Sequence, residues 1–198
     1  MKKPSIEQII KSMEKLNYSI FRDNSKDYNL NIVGIRSDDH TPNIFNDLEV
    51  VFWRSSTGWT SYYMKVTTDP GLYWLNNPMN VNGTAILKAG QYKGLWKLGL
   101  HQGKYEALVQ KAPCTVIRDI NRDGKLDFTG KEDTGIFGIN NHRANEKVES
   151  TKVEKWSAGC IVIANPKDFE NHMKICNFAA KNWGNSFTYT LIKEKDLI

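Results

Sequence analysis

Short aromatic and β-branched segments, separated by turn-forming residues, fill the middle of the chain and limit what it can fold into. Segments 48–53 and 60–66 are predicted to be aromatic-rich strands, and Ser-Ser-Thr-Gly at 55–58 joins them as a predicted hairpin. Further strand-like segments follow at 85–92, 94–100 and 105–110. Long helices do not tolerate so many glycine breaks. The pattern therefore predicts a predominantly β fold.

Two helical segments complete the predicted fold. Residues 5–17 form an amphipathic pattern that begins with a capping box at Ser5 and Gln8. A second helix is predicted from Asn165-Pro166 to about Trp183, with His172 on its surface. We expect an α+β domain spanning residues 1–198, in which residues 1–45 form the N-terminal helix and lead-in.

Composition narrows the functional classes. Hydrophobic residues make up 40% of the chain, which excludes a disordered protein. The net charge of +5 suits an anionic partner such as a cell-wall polymer, although a soluble surface often carries such an excess. No basic run is interleaved with aromatics, so nucleic acid is not predicted. No segment reaches the ~20 apolar residues of a membrane span. Nothing indicates an oligomeric state.

His142 and Cys160 are the strongest candidates for chemistry. The apolar run at 136–139, predicted to be a short buried strand, precedes His142. Ser-Ala-Gly precedes Cys160, and a predicted strand at 161–164 follows it. A neutral imidazole is the usual base for a thiol, and Gly159 allows a tight turn that brings amide groups near an oxyanion. A buried structural thiol is the alternative.

The other two cysteines are predicted to be packing residues. Cys114 lies at the start of an apolar strand, and Cys176 lies within the second helix. Three cysteines in unrelated contexts do not suggest a disulfide framework.

The segment from His142 to Cys160 resembles the catalytic motif of the L,D-transpeptidase (YkuD-type) family. In that family a His is followed by 14 to 17 residues and then by Ser/Thr-His-Gly-Cys. Here 14 residues separate His142 from Ser157, and the sequence continues as Ser-Ala-Gly-Cys. Ala158 replaces the second His of the motif. The resemblance covers about residues 80–165.

The resemblance implies a mixed sheet or a β-sandwich, and a peptidoglycan peptide as substrate. His142 would be the base and Cys160 the nucleophile, with the Arg143 carbonyl orienting the base and Gly159 supporting the oxyanion. The amide bond cut would lie next to a D-amino acid. Water as acceptor would make the protein a hydrolase, and an amine would make it a transpeptidase.

Three further residues are candidates for substrate contact. Ser157 and Trp156 lie directly before the catalytic turn. His101 lies in a Leu-His-Gln-Gly turn, where it either faces the same cleft or is an ordinary turn residue.

Two other functional classes stay open on the sequence. A cell-wall or glycan-binding protein without turnover would keep the scaffold, and Ala158 would mark the loss. A cysteine amidase for a different polymer would keep the nucleophile and the base.

Residues 119–127 resemble the start of an EF-hand calcium loop. Oxygen donors stand at Asp119, Asn121, Asp123 and Asp127, and the Lys125 carbonyl is a further donor. Gly130 replaces the usual bidentate Glu, so Glu132 or Asp133 would have to reach in. A structural calcium ion and a metal-free Asx-rich turn are the two alternatives. No cofactor is expected for the chemistry itself.

The N-terminal sequence MKKPSIEQII has neither an apolar h-region nor a cleavage site. We expect synthesis in the cytoplasm without a signal peptide. An enzyme of this kind would act on the cell wall after lysis or delivery, as an endolysin does.

Overall fold

A computed structural model describes residues 1–198 of the protein. Eight of its strands form one sheet that closes on itself. Around the barrel the strands follow the order β1 (Asn31–Arg36), β11 (Phe187–Lys193), β5 (Gly90–His101), β6 (Tyr105–Gln110), β9 (Asn141–Arg143), β10 (Ile161–Ile163), β3 (Gly58–Thr67) and β2 (Asp47–Ser55). The pairs β1/β11 and β9/β10 are parallel and the others antiparallel. The β-rich, mixed-sheet expectation is confirmed. The main sheet is a barrel, however, and not one layer of a sandwich.

A separate three-stranded sheet contains β4 (Thr84–Leu87), β7 (Cys114–Asp119) and β8 (Glu132–Gly135). The strand predicted at 136–139 is wrong, because β8 ends at Gly135 and Ile136 is 63% exposed. Side chains, and not a paired strand, make the hydrogen bonds of the backbone in this segment. Gln110 Oε1 accepts hydrogen bonds from the Phe137 and Ile139 amides, and Trp96 Nε1 donates to the Ile139 carbonyl.

Three α-helices pack on the sheets: α1 (Ile6–Lys15), α2 (Leu72–Asn76) and α3 (Pro166–Trp183). The predicted capping box of α1 is present, and its apolar face covers an outer cluster that includes Val33 and Phe52. Asn165 caps α3. None of the helices combines the length and the apolar character needed to cross a bilayer.

Helix α3 packs on the core that fills the barrel. Phe169, Met173 and Cys176 join the same cluster as Trp96 and Tyr189. The surface position predicted for His172 is wrong, because the ring is completely buried on this inward face. His172 lies one helical turn from Cys176, so both side chains point toward the barrel.

Candidate active site

Strands β9 and β10 bring His142 and Cys160 to one face of the barrel wall. His142 pairs with Val162, and Cys160 directly precedes β10. Cys160 packs against the outer cluster that contains Val162. Ile161 and Ile163 point the other way, into the barrel core. Ladder geometry, with a strand spacing of ~4.8 Å and a rise of ~3.3 Å per residue, places positions 142 and 160 about 8 Å apart, so the two side chains are neighbours on one face without a hydrogen bond between them.

Hydrogen bonds determine the tautomer of His142. Its Nδ1 lies 2.8 Å from the Arg143 carbonyl oxygen, which only accepts, so Nδ1 carries the proton. The Tyr105 hydroxyl lies 3.4 Å from the same Nδ1 and from the same carbonyl. The lone pair is therefore on Nε2, which is buried and has no hydrogen-bond partner. An unprotonated nitrogen without a partner is the atom that a general base requires.

Burial keeps His142 neutral. The side chain is 3% exposed, and its pKa is lowered to about 3, chiefly because the charged form would lose its solvation. The neighbouring His101 acts in the same direction, and the hydrogen bond to the Arg143 carbonyl acts against it. The imidazole is therefore uncharged across the neutral pH range.

The thiol of Cys160 is protonated in the resting structure. Burial raises its pKa to about 11, while a hydrogen bond with the Asn140 backbone acts in the opposite direction. The sulfur lies 3.3 Å from the Gly138 carbonyl oxygen, to which the thiol donates. No hydrogen bond joins it to His142. The resting pair is thus a neutral thiol and a neutral imidazole on one face.

The turn before Cys160 is held by Ser157. Its hydroxyl donates to the Cys160 carbonyl at 2.8 Å and accepts from the Gly159 amide at 3.1 Å. Ser157 is completely buried, so it supports the turn and does not touch a bound substrate. The Gly159 amide is already engaged and is not free for an oxyanion. The Cys160 amide, which makes no hydrogen bond within the protein, is the available donor.

Gly159 is required by the turn for a steric reason. Its φ is +124°, and an added Cβ would lie 2.6 Å from the Ala85 carbonyl oxygen. Only glycine combines this backbone conformation with such close packing on β4. The residue shapes the loop that presents the thiol.

A cleft of about 950 Å³ opens beside His142. His101, Arg143 and Trp156 line it together with His142. Trp156 is 42% exposed, and the Arg143 guanidinium lies 3.8 Å from the centre of the Tyr105 ring. Two of the predicted substrate-contact residues, Trp156 and His101, therefore share one cleft with His142, whereas Cys160 is not among the residues that line it.

Ala158 faces a different, smaller cleft of about 330 Å³. Its apolar lining includes Trp74, Met79, Ile136 and Phe137. His101 lies in the other cleft, so it does not occupy the space that a His side chain at 158 would take.

The loop at 119–127 is held by its own hydrogen bonds. Asp119 Oδ2 accepts from the Asp127 amide, and Asp123 Oδ1 accepts from the Lys125 amide. No three His, Cys, Asp or Glu side chains come together in a way that could hold a metal ion.

The two carboxylates proposed to complete the calcium loop are bound elsewhere. Glu132 pairs with Lys88 at 2.6 Å, and Asp133 pairs with Arg118 at 2.8 Å. Asp119 Oδ1 is buried without a partner, and burial, followed by the charges of Asp127 and Asp123, raises the pKa of this carboxyl. Calcium binding stays a prediction.

Sequence reasoning missed two residues of this site. Tyr105 contacts His142 and lies under the Arg143 guanidinium, although it reads only as a strand aromatic in the sequence. Asn140 bonds to His101 through its side chain and to Ile161 through its carbonyl. An Asn pair directly before a candidate base was the available signal, since buried amides in such positions hold neighbouring groups in place.

Comparison with known proteins gives no further guide: the chain matches no family model, no curated protein and no solved structure.

Proposed function

We propose that the protein is a cysteine-dependent acyl-transfer enzyme that acts on peptidoglycan stem peptides. It cleaves or exchanges an amide bond next to a D-amino acid through a thioester on Cys160. The observation that supports this function is the placement of His142 Nε2, an unprotonated nitrogen, on the same face of adjacent parallel strands as the thiol. The peptidoglycan assignment rests on the His142-to-Cys160 spacing and the Ser-Ala-Gly-Cys sequence.

The first half of the reaction forms the thioester. The thiol proton of Cys160 moves to His142 Nε2, and the sulfur attacks the amide carbonyl carbon. The carbonyl oxygen becomes an oxyanion, for which the Cys160 amide is a free donor. When the tetrahedral intermediate collapses, the C–N bond breaks and the leaving amine takes the proton from Nε2.

The second half regenerates the enzyme. Water or an acceptor amine gives a proton to His142 Nε2 as it attacks the thioester carbonyl. The C–S bond then breaks, and the sulfur recovers the proton from the imidazolium. Water yields a free carboxylic acid, whereas an amine yields a new amide bond.

Substrate binding has to redirect the thiol. In the resting structure the thiol donates to the Gly138 carbonyl over 3.3 Å, and a rotation about the Cys160 Cα–Cβ bond turns the sulfur away from it. This rotation breaks only one weak sulfur hydrogen bond, so its energetic cost is small.

A non-catalytic wall-binding or glycan-binding protein is the second candidate. The protonated thiol and the absence of a thiol–imidazole hydrogen bond favour it. Trp156 and Tyr73, both partly exposed in the cleft beside the base, offer aromatic faces on which a sugar ring can stack. Such a protein would bind sacculi without changing them.

Digestion of purified sacculi separates the two candidates. Wild-type protein and the Cys160→Ala and His142→Ala variants are incubated with sacculi, and the muropeptides are analysed by mass spectrometry. We expect new muropeptides with wild type only, and a loss of at least ~10²-fold in rate for His142→Ala. His40→Ala is the matched control, because His40 is an exposed loop residue away from the cleft.

Sedimentation of the same sacculi measures binding. Products that are the same with wild type and Cys160→Ala would contradict the enzyme, and co-sedimentation without products would support the binding protein. If an acyl group is trapped on Cys160 after incubation with another polymer, and not with peptidoglycan, the protein is a cysteine amidase of a different specificity.

A further inference from the structure

The side chain of Asn140 is oriented without ambiguity. Its Oδ1 accepts a hydrogen bond of 2.8 Å from the Gln110 backbone amide, so its Nδ2 is the group that faces His101. The distance from Asn140 Nδ2 to His101 Nδ1 is 3.1 Å. Because an amide NH₂ only donates, His101 Nδ1 must accept, and the neutral ring carries its proton on Nε2.

The proton of His101 faces the cleft. His101 is 7% exposed at the end of β5, and its ring stacks on His142 with centroids 4.0 Å apart. Its Nε2 has no partner in the protein and is not among the enclosed polar atoms, so it reaches the surface of the 950 Å³ cleft that His101 lines. The stacked rings thus differ: His142 has a buried lone pair, and His101 has an accessible N–H.

The charges around this N–H leave it available to a ligand. Burial, followed by the charges of Lys104 and Arg143, lowers the pKa of His101, so the ring stays neutral at pH 7. Of the two acids in the cleft, Glu146 pairs with Arg143 and Glu154 accepts from Asn43. Neither of them bonds to His101.

We propose that His101 Nε2–H is a fixed hydrogen-bond donor for a carbonyl or carboxylate oxygen of the substrate. The proposal rests on the proposed function, since it names a substrate contact of the same site. Asn140 is the positioning residue, because its amide selects the tautomer. Lys104 and Lys155, which have no carboxylate partner, line the same cleft and favour an acceptor with negative charge.

The tautomer is measurable without any activity. Two-dimensional ¹H–¹⁵N spectra of the imidazoles should show His101 protonated on Nε2 in the wild type at pH 7. Asn140→Asp, which keeps the size of the side chain and replaces the donor with an acceptor, should move a proton to Nδ1. The exposed His40 is the internal control, and its spectrum should not change. A proton on His101 Nδ1 in the wild type would overturn the assignment.

The substrate contact is measurable by binding to a variant that does not turn over. In a Cys160→Ala background, a soluble disaccharide-tetrapeptide is titrated by calorimetry. His101→Phe keeps an aromatic ring on His142 and removes the donor, so Kd should rise about tenfold, the effect of losing one hydrogen bond. His101→Gln places an amide donor near Nε2 and should recover most of the affinity, while His40→Gln should change nothing.

Failure of the proposed His101 contact and failure of the proposed enzymatic function give different results. Equal Kd values for His101→Phe, His101→Gln and the parent, or no binding of the fragment, would refute the contact. Binding that depends on His101, combined with no wild-type products from sacculi, would leave the contact in place and refute turnover.

Discussion

Glu49 and Asn141 meet inside the barrel, where Glu49 Oε2 accepts a hydrogen bond of 2.6 Å from Asn141 Nδ2. Both side chains are completely buried. Asn141 precedes His142 in β9, a strand of three residues that pairs with β6 through a single residue pair. The bond crosses part of the barrel interior and ties the short strand that carries His142 to β2, three strands away around the barrel. A buried carboxyl therefore supports the site from behind.

Glu49 should make the protein less stable as the pH rises. Burial raises the pKa of Glu49 from 4.5 to about 8, so the folded state holds a proton that the unfolded chain releases. The contribution of Glu49 to the free energy of unfolding is fully present below about pH 4.5 and is lost as the pH rises to about 8. The loss is on the order of several kcal/mol. Urea unfolding of wild type and Glu49→Gln at pH 5, 6.5 and 8 measures it.

The variant should show a weaker fall in unfolding free energy over this range. Asp47, whose pKa is raised to about 7 by burial, remains in both proteins and acts in the same direction. His172, whose pKa burial lowers to about 4, acts in the opposite direction below pH 6.5 and also remains. His172 Nε2 lies 3.8 Å from Glu49 Oε1, so the difference between the two curves reports Glu49 together with its effect on His172. Parallel curves for the two proteins would contradict the prediction.

Cys160 should react slowly with alkylating agents at neutral pH. With the thiol pKa at about 11, the reactive thiolate is a minor species, and the rate with iodoacetamide should rise about tenfold per pH unit from pH 7 to 10. Peptide mapping by mass spectrometry follows each cysteine. Cys114 and Cys176 are buried and should react only after denaturation. A rate that is already constant above pH 7 would instead indicate a preformed thiolate–imidazolium pair.

Gly159→Ala should destabilise the protein and disturb the turn before Cys160. The strain of a side chain at φ +124° costs about 1–3 kcal/mol, and contact with the Ala85 carbonyl adds to it. Gly58→Ala is the matched control, because its φ of +127° is nearly the same but an added Cβ has no neighbour within 4 Å. Urea unfolding should show the larger loss for Gly159→Ala. Equal losses would mean that contact with Ala85 is unimportant.

Thermal melts test the calcium prediction for the loop at 119–127. Bound calcium predicts that millimolar Ca²⁺ raises the midpoint relative to EDTA, and that Asp119→Asn reduces this difference. A loop held only by its Asx turns predicts the same midpoint in both buffers. The structure favours the second result, because Glu132 and Asp133 pair with Lys88 and Arg118. Magnesium at the same concentration controls for a general effect of divalent cations.

Sequence reasoning located most elements because their signals are local. The Ser5–Gln8 capping box, the hairpin at 55–58 and the Asn165 cap depend on residues within a few positions of one another. The strand predicted at 136–139 failed for the opposite reason. Its backbone is satisfied by Gln110 and Trp96, which lie on distant strands.

The sequence by itself determined the strand-rich class, the two long helices and the spacing that carries His142 and Cys160. Tertiary structure alone decided that the sheet closes and that His172 is buried. It also decided that the Ser157 hydroxyl accepts a hydrogen bond from the Gly159 amide and that His101 stacks on His142. Periodicity and capping report which conformation a segment prefers. Which side chains meet depends on strand register and closure, and these are determined by packing between segments far apart in the chain.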